Sequence, residues 1–214
     1  MNPPRPADHR LPPDLLLSLA HHGAVRSFPA QTILIHEGDT SQSVYILLEG
    51  RVKVYTSGED GRVFVLAELS AGEYLGELSI AGEPRSASVQ TLEPTRCRIV
   101  QRDEWAAFLA AQPGFAQHLM HKLMHQVRQL TEQVRALALQ DVYARVAQLL
   151  TGLSEPVGTQ RVLRHRLTQQ DIADRVGASR EMVNRVMKEL TAGGYVTTDA
   201  ERRLVLCKAF PARW

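Results

Sequence analysis

At 214 residues the chain has room for two small domains, and its formal net charge of +2 hides an uneven distribution. Residues 141–214 hold 12 Lys/Arg against 8 Asp/Glu while residues 1–140 hold 13 against 15, so a mildly basic tail suited to DNA follows a mildly acidic head. Only Cys97 and Cys207 are present, which excludes a disulfide framework and a four-cysteine cluster within one chain, and both read as packing residues in a reducing cytoplasm. The N-terminus MNPPRPADHRLPP is no signal peptide, and no apolar run approaches the ~20 residues a membrane span needs.

Residues 1–24 read as a proline-rich tail and a short helix over 15–20. From Val25 to about Arg102 short alternating or apolar runs predict strands over 32–35, 43–48, 51–55, 63–67 and 96–100. Glu37-Gly38-Asp39, Glu49-Gly50, Gly58-Glu59-Asp60-Gly61 and Ala71-Gly72-Glu73 interrupt them. Many short strands at close spacing predict an antiparallel barrel or jelly roll over 25–111. A short helix over 103–111 closes it, and Pro113-Gly114 ends that helix.

Residues 112–139 predict one long helix. Ala116, Met120, Leu123, Val127, Leu130, Val134 and Leu137 recur at alternating spacings of four and three, the seam of a left-handed helix pair and hence of a homodimer. A helix lying on its own barrel would also show an apolar stripe. Residues 140–214 predict a second domain. A helix over 141–153 carries Val142, Val146, Leu149 and Leu150 on one face. A loop over 155–160 and a small pair of strands, 161–163 and 165–167, follow. Strands over 195–198 and 203–207, joined by Asp199-Ala200-Glu201, form a terminal hairpin.

Between these lies TQQDIADRVGASREMVNRVMKEL, residues 168–190. Ile172, Ala173 and Val176 give the first helix an apolar face, Thr168 caps its start and Gly177 ends it. Ser179 caps a second helix that turns Val183, Val186, Met187 and Leu190 inward and leaves Arg180, Glu181, Asn184, Arg185 and Lys188 outward. Two helices joined by a tight turn, the second with an Arg-rich start, have the form of a helix-turn-helix reader of double-stranded DNA. An ordinary helical hairpin with a solvated charged face has the same pattern. With the hairpin behind it, the unit is a winged helix.

A second stretch carries chemistry: Gly76-Glu77-Leu78-Ser79-Ile80-Ala81-Gly82-Glu83-Pro84-Arg85-Ser86-Ala87-Ser88. It offers a turn glycine and backbone N–H groups for an anion. Arg85 can hold a phosphate bidentately, Ser86 adds a hydroxyl, and Glu77 can accept from a sugar hydroxyl. A surface loop with an internal Glu–Arg pair would look the same.

The run Ser179-Arg180-Glu181-x-Val183-x-Arg185 closely resembles the recognition helix of the cyclic-AMP receptor protein (catabolite activator protein)/FNR family of bacterial transcription regulators. Residues 76–88 resemble the phosphate-binding cassette of cyclic-nucleotide-binding domains, with its Gly-Glu-Leu start and Arg-Ser-Ala end and a loop a residue or two shorter. The resemblance implies an α+β chain: a cyclic-nucleotide-binding antiparallel barrel, a dimerisation helix and a winged helix-turn-helix. It implies that Gly76 and Leu78 shape the turn, Glu77 holds a ribose hydroxyl, and Arg85 with Ser86 hold a cyclic phosphate. Where the family presents a Thr-Ser pair to adenine, this chain has Leu130-Thr131, so only Thr131 keeps a hydroxyl. The effector expected is therefore cAMP first, with cGMP, another nucleotide or a vestigial pocket left open. Arg180 and Arg185 would read guanines and Glu181 a cytosine amino group. Thr168, Ser179 and Lys188 would hold phosphates, with Gln170 also on the DNA-binding side. The expected operator is a palindrome of TGTGA-like half-sites.

Other constellations are weaker. His118, His121 and His125 share a helix face and could ligate haem or metal, but no partner acid or Cys motif accompanies them, and no metal is expected. His21-His22 is a surface pair that by analogy could meet RNA polymerase. No nucleophile elbow, metal triplet or P-loop appears, so an enzyme is not expected. Two further readings stay open: the same DNA reader with a haem, redox or ligand-independent input, and a barrel enzyme whose tail is an interaction module.

Overall fold

The short runs of the first half pair into two four-stranded sheets. In this computed structural model, which describes residues 10–211, α1 (Pro13–Ser18) precedes β1 (Ala24–Phe28), β2 (Ile33–Ile35), β3 (Val44–Glu49), β4 (Arg51–Ser57), β5 (Val63–Ser70), β6 (Tyr74–Leu75), β7 (Ser88–Thr91) and β8 (Thr95–Val100). One sheet runs β1-β8-β3-β6 and the other β2-β7-β4-β5. The expected tail over residues 1–9 lies outside the described residues. The sequence reading missed β1, β6 and β7. The last two are only two and four residues long, too short to show a period.

Alternation along β3 explains its nearly unbroken apolar run. Val44 and Ile46 point to one face, where they meet Leu11, Leu15, Leu19 and Tyr74. Tyr45 and Leu47 point to the other, between the sheets, with Ile35, Val52, Leu69, Leu75, Val89 and Cys97. A strand buried on both faces has no polar side to display. On the helix side α2 (Arg102–Ala111) starts with a capping box of Gln101 and Glu104. Pro113 opens α3 (Pro113–Leu139), a position where its missing N–H is not needed. Phe115, fully buried, meets Trp105 edge-on at 4.8 Å and Tyr74 at 5.4 Å between ring centres.

The described residues divide into two compact units, 10–58 with Val65–Leu130, and Glu59–Phe64 with 131–211; the division passes through α3. The second unit holds α4 (Val142–Leu153), β9 (Ser154–Val157), β10 (Gln160–Leu163), α5 (Gln169–Val176), α6 (Arg180–Ala192), β11 (Val196–Thr198) and β12 (Leu204–Leu206). Its sheet runs β11-β12-β10-β9. The strand pair expected over 161–163 and 165–167 is instead β9 with β10, turning at Gly158, and residues 165–167 are not a strand. Pro156 had argued for a loop, yet β9 is an edge strand, where a missing N–H is tolerated. Tyr143, Val146, Leu150, Ile172, Val176, Val183, Met187 and Leu190 fill one core beneath the three helices.

Phe115→Ala should lower the unfolding free energy by about 3–5 kcal/mol. Urea unfolding followed by tryptophan fluorescence measures this, because Trp105 lies against the same ring.

Candidate ligand pocket and DNA-reading surface

Arg85 is 4% exposed, and its guanidinium donates all five N–H groups to protein acceptors. Nε bonds the Ser41 hydroxyl at 3.2 Å, Nη1 the Gly76 carbonyl at 3.0 Å and the Ser79 hydroxyl at 2.9 Å, and Nη2 the Ser43 carbonyl at 2.7 Å and its hydroxyl at 3.4 Å. Burial draws its pKa below the ordinary guanidinium value, opposed by Tyr45, Asp39 and Glu77. The fork on a phosphate expected from sequence is here a fork on the chain itself.

Gly76 makes this possible. It has a φ of 88°, and a Cβ there would lie 2.7 Å from Arg85 Nη1 and 2.8 Å from the Ser43 carbonyl. It precedes a 3-10 turn, Glu77–Ala81, which Ser79 steadies by donating to the Gly76 carbonyl at 2.9 Å. Glu77 is buried, and the Lys122 ammonium on α3 donates to its Oε1 at 3.0 Å. Lys122 also donates to the Tyr74 carbonyl and lies 3.8 Å above the Tyr74 ring centre. Burial, with the charge of Glu77, raises the Tyr74 hydroxyl pKa.

Ser79, Arg85, Glu77 and Lys122 line a cavity of ≈ 340 Å³. Gly76, Glu77, Leu78, Arg85 and Ser86 are all in its wall, so the structure brings the cassette residues together. Ile35, Val54, Leu66, Leu69 and Val89 supply an apolar side, and α3 supplies Lys122, Gln126, Gln129 and Leu130. Thr131 is exposed and is not among the lining residues of this cavity. Sequence reasoning missed Lys122, Gln126 and Gln129. The signal was a second stripe on α3, one residue away from the heptad seam: Phe115, Leu119, Lys122, Gln126, Gln129.

The seam itself faces outward along α3, with Val127 63% and Val134 65% exposed, and Met120, Leu130 and Leu137 exposed beside them. Of the three histidines, His118 is held between the Tyr74 hydroxyl at 3.3 Å and the Arg10 carbonyl at 3.2 Å. Among the described residues no group of three or more His, Cys, Asp or Glu is placed to hold a metal. Burial raises the thiol pKa of Cys97 to about 12.

In the second unit Thr168 caps α5, its hydroxyl accepting from Asp171 N at 3.1 Å and donating to Asp171 Oδ2 at 2.6 Å. Gln170 is exposed and donates to Asp174 at 2.7 Å. Gly177 ends α5 with a φ of 62°. Ser179 caps α6 by accepting from Met182 N at 3.2 Å. Arg180, Glu181, Arg185 and Lys188 are exposed on α6, as expected. Asn184 departs from expectation: it is half-buried and accepts from Gln169 of α5 at 3.2 Å. The Glu181 carboxyl is held below its ordinary pKa by its own backbone N–H and by Ser179, so it stays an acceptor near neutral pH.

Residues 25–112 match the family model for a cyclic nucleotide-binding domain, and residues 144–209 match that for a Crp-like helix-turn-helix domain. The chain is 32% identical over 183 residues to the CRP-like cAMP-activated global transcriptional regulator of Mycobacterium tuberculosis, covering 83% of this chain and 82% of that one. It is 30% identical over 174 residues to the cAMP-activated global transcriptional regulator CRP of Pasteurella multocida, covering 79% and 83%. Among solved structures, the c-di-GMP-responsive global regulator CLP of Xanthomonas campestris superposes with a TM-score of 0.83 at 24% identity, covering 91% of this chain and 99% of that one.

Burial lowers the pKa of His118 from the ordinary 6.5, with Lys122 and His121 adding to the shift and the Arg10 carbonyl opposing it. Its neutral form therefore stabilises the fold fully above pH 6.5, and that contribution is lost as pH falls through the lowered folded value. Melting temperatures of wild type and His118→Gln between pH 7.5 and 5 should show the steeper fall in wild type.

Proposed function

Because the chain belongs to the CRP/FNR family of bacterial transcription regulators, we propose that it works as a homodimer whose DNA binding is gated by a cyclic mononucleotide, cAMP first. The observation that carries this reading is the single cavity in which Gly76, Glu77, Leu78, Arg85 and Ser86 meet one face of α3. Its apolar side suits a flat base, and its volume lies within the range of small-ligand sites. Glu77 would take a ribose hydroxyl, and Arg85 with Ser86 the cyclic phosphate, after Arg85 exchanges serine and carbonyl partners for it. The amides of Gln126 and Gln129 would meet a base edge, with Thr131 contributed across the dimer. The outward apolar seam of α3 supports the dimer, since a stripe of that length left in water is an association surface.

On the DNA side, Arg180 and Arg185 would read guanines and Glu181 a cytosine amino group, while Thr168, Gln170, Ser179 and Lys188 meet the backbone. Two readers related by a dyad would reach half-sites ~34 Å apart, the general spacing of such dimers, of which this family's founding member is a standard example. A ligand that favours one dimer arrangement then shifts the population able to bind. The protein would act in the cytoplasm, with RNA polymerase as a further partner.

A second reading keeps the DNA reader and changes the input. It is favoured by the contacts the pocket already makes, since the Arg85 N–H groups are filled by protein acceptors and Lys122 holds one oxygen of Glu77. The c-di-GMP response of the Xanthomonas regulator adds that dinucleotide to the candidates. A thiol-redox input through Cys97 is disfavoured, because a buried thiol with a raised pKa is a poor nucleophile.

Calorimetric titration with cAMP, cGMP and c-di-GMP, followed by operator binding with and without each ligand, tests the effector. Heat with a cyclic mononucleotide and a changed DNA affinity are expected; heat with c-di-GMP alone, or with none of the three, moves the assignment to the second reading. Arg180→Ala and Arg185→Ala should each cost about 1–3 kcal/mol on a selected TGTGA-like operator and relax specificity at one position. Lys188→Ala should instead weaken all sequences alike and reduce the salt slope by about 1. Sedimentation should give a dimer, with Val127→Asp shifting it to monomer.

A further inference from the structure

We propose that Lys122 determines what the pocket accepts: it guards Glu77 and yields it only to a ligand that brings an anionic group together with its hydroxyl. This rests on the reading above that the pocket takes a nucleotide. The side chains of Lys122 and Glu77 are 3% and 5% exposed and lie 3.0 Å apart. Two ions so buried are tolerable only as a well-made pair, and Lys122 is further steadied by the Tyr74 carbonyl and ring face. It stands on the inner face of α3, two turns after the buried Phe115, and lines the same cavity as Leu78 and Arg85.

A sugar hydroxyl that takes the Glu77 oxygen held by Lys122 competes with a full positive charge. If the hydroxyl wins, the ammonium is left buried and unpaired, which is strongly unfavourable. A neutral nucleoside offers it only uncharged acceptors. A nucleotide has its phosphate, a stronger acceptor for a released ammonium than any neutral group in the wall. Arg85 is poorly placed to do this alone, because each of its N–H groups already has a partner. The exchange therefore costs little only for an anion, and discrimination between nucleotide and nucleoside is written into Lys122 rather than into the Arg-Ser pair alone.

The test is calorimetric titration of wild type, Lys122→Arg and Lys122→Met with cAMP, cGMP, adenosine and guanosine. In wild type the nucleotide should bind far more tightly than its nucleoside. In Lys122→Met that ratio should shrink by about tenfold or more, with Lys122→Arg close to wild type. If Lys122→Met does not fold, Lys122→Gln, which keeps an amide donor without a charge, carries the same expectation. A ratio that is unchanged or larger in the uncharged variants, with wild type still binding a cyclic nucleotide, overturns the role of Lys122 and leaves the nucleotide pocket standing. Binding of none of the four probes by wild type or any variant overturns the nucleotide reading and this role with it.

Discussion

The guanidinium of Arg85 is the knot of the first unit. Its five N–H groups join one distant segment, the Ser41–Ser43 approach to β3, to the nearby turn that carries the Gly76 carbonyl and the Ser79 hydroxyl. Backbone bonds tighten the same knot, since Arg85 N donates to the Asp39 carbonyl and the Arg85 carbonyl accepts from Gly38 N, both at 2.8 Å. A buried charge is stable only when its donors are filled, so these segments must take this arrangement for the cation to be buried at all. Gly76 is the residue that lets the backbone come that close. Folding alone thus fixes the shape of this loop, and anything that took the Arg85 fork would have to replace contacts the fold already makes.

The long helix α3 serves two surfaces with two stripes. Phe115, Leu119, Lys122, Gln126 and Gln129 face the barrel core and the cavity. Ala116, Met120, Leu123, Val127, Leu130, Val134 and Leu137 form the outward seam, most of it exposed. Successive residues on a helix are ~100° apart, so stripes offset by one residue are adjacent faces of one rod. Leu130 sits on both, in the seam and in the cavity wall.

In the second unit α5 and α6 pack from behind against one shared core. Thr168, Gly177 and Ser179 settle the helix ends, and the Asn184–Gln169 bond ties α6 back to α5. Arg145 of α4 caps the carbonyl end of α5 at Val176. Arg180, Arg185 and Lys188 of α6 are exposed, while its apolar face packs through Val183, Met187 and Leu190.

Much of this was legible in the chain because it rests on local rules. The helix-turn-helix announces itself through two cap residues, one positive-φ glycine and a 3.6 period, each decided within a few residues. The seam of α3 and the cassette residues Gly76, Glu77, Arg85 and Ser86 are likewise visible as spacing and residue type. β9 was not, because Pro156 argues for a loop until the sheet puts that strand at an edge. Lys122 was not, because a lone lysine on a helix is ordinarily solvated, and only the packing of α3 on the barrel carries it to Glu77. The partners of Arg85 were equally hidden, since Ser41 and Ser43 lie more than forty positions away. Sequence by itself determined which residue types were available and where helices begin and end. Tertiary structure decided which charges neutralise one another, because burial makes pairing obligatory and only the folded chain brings distant charges within reach.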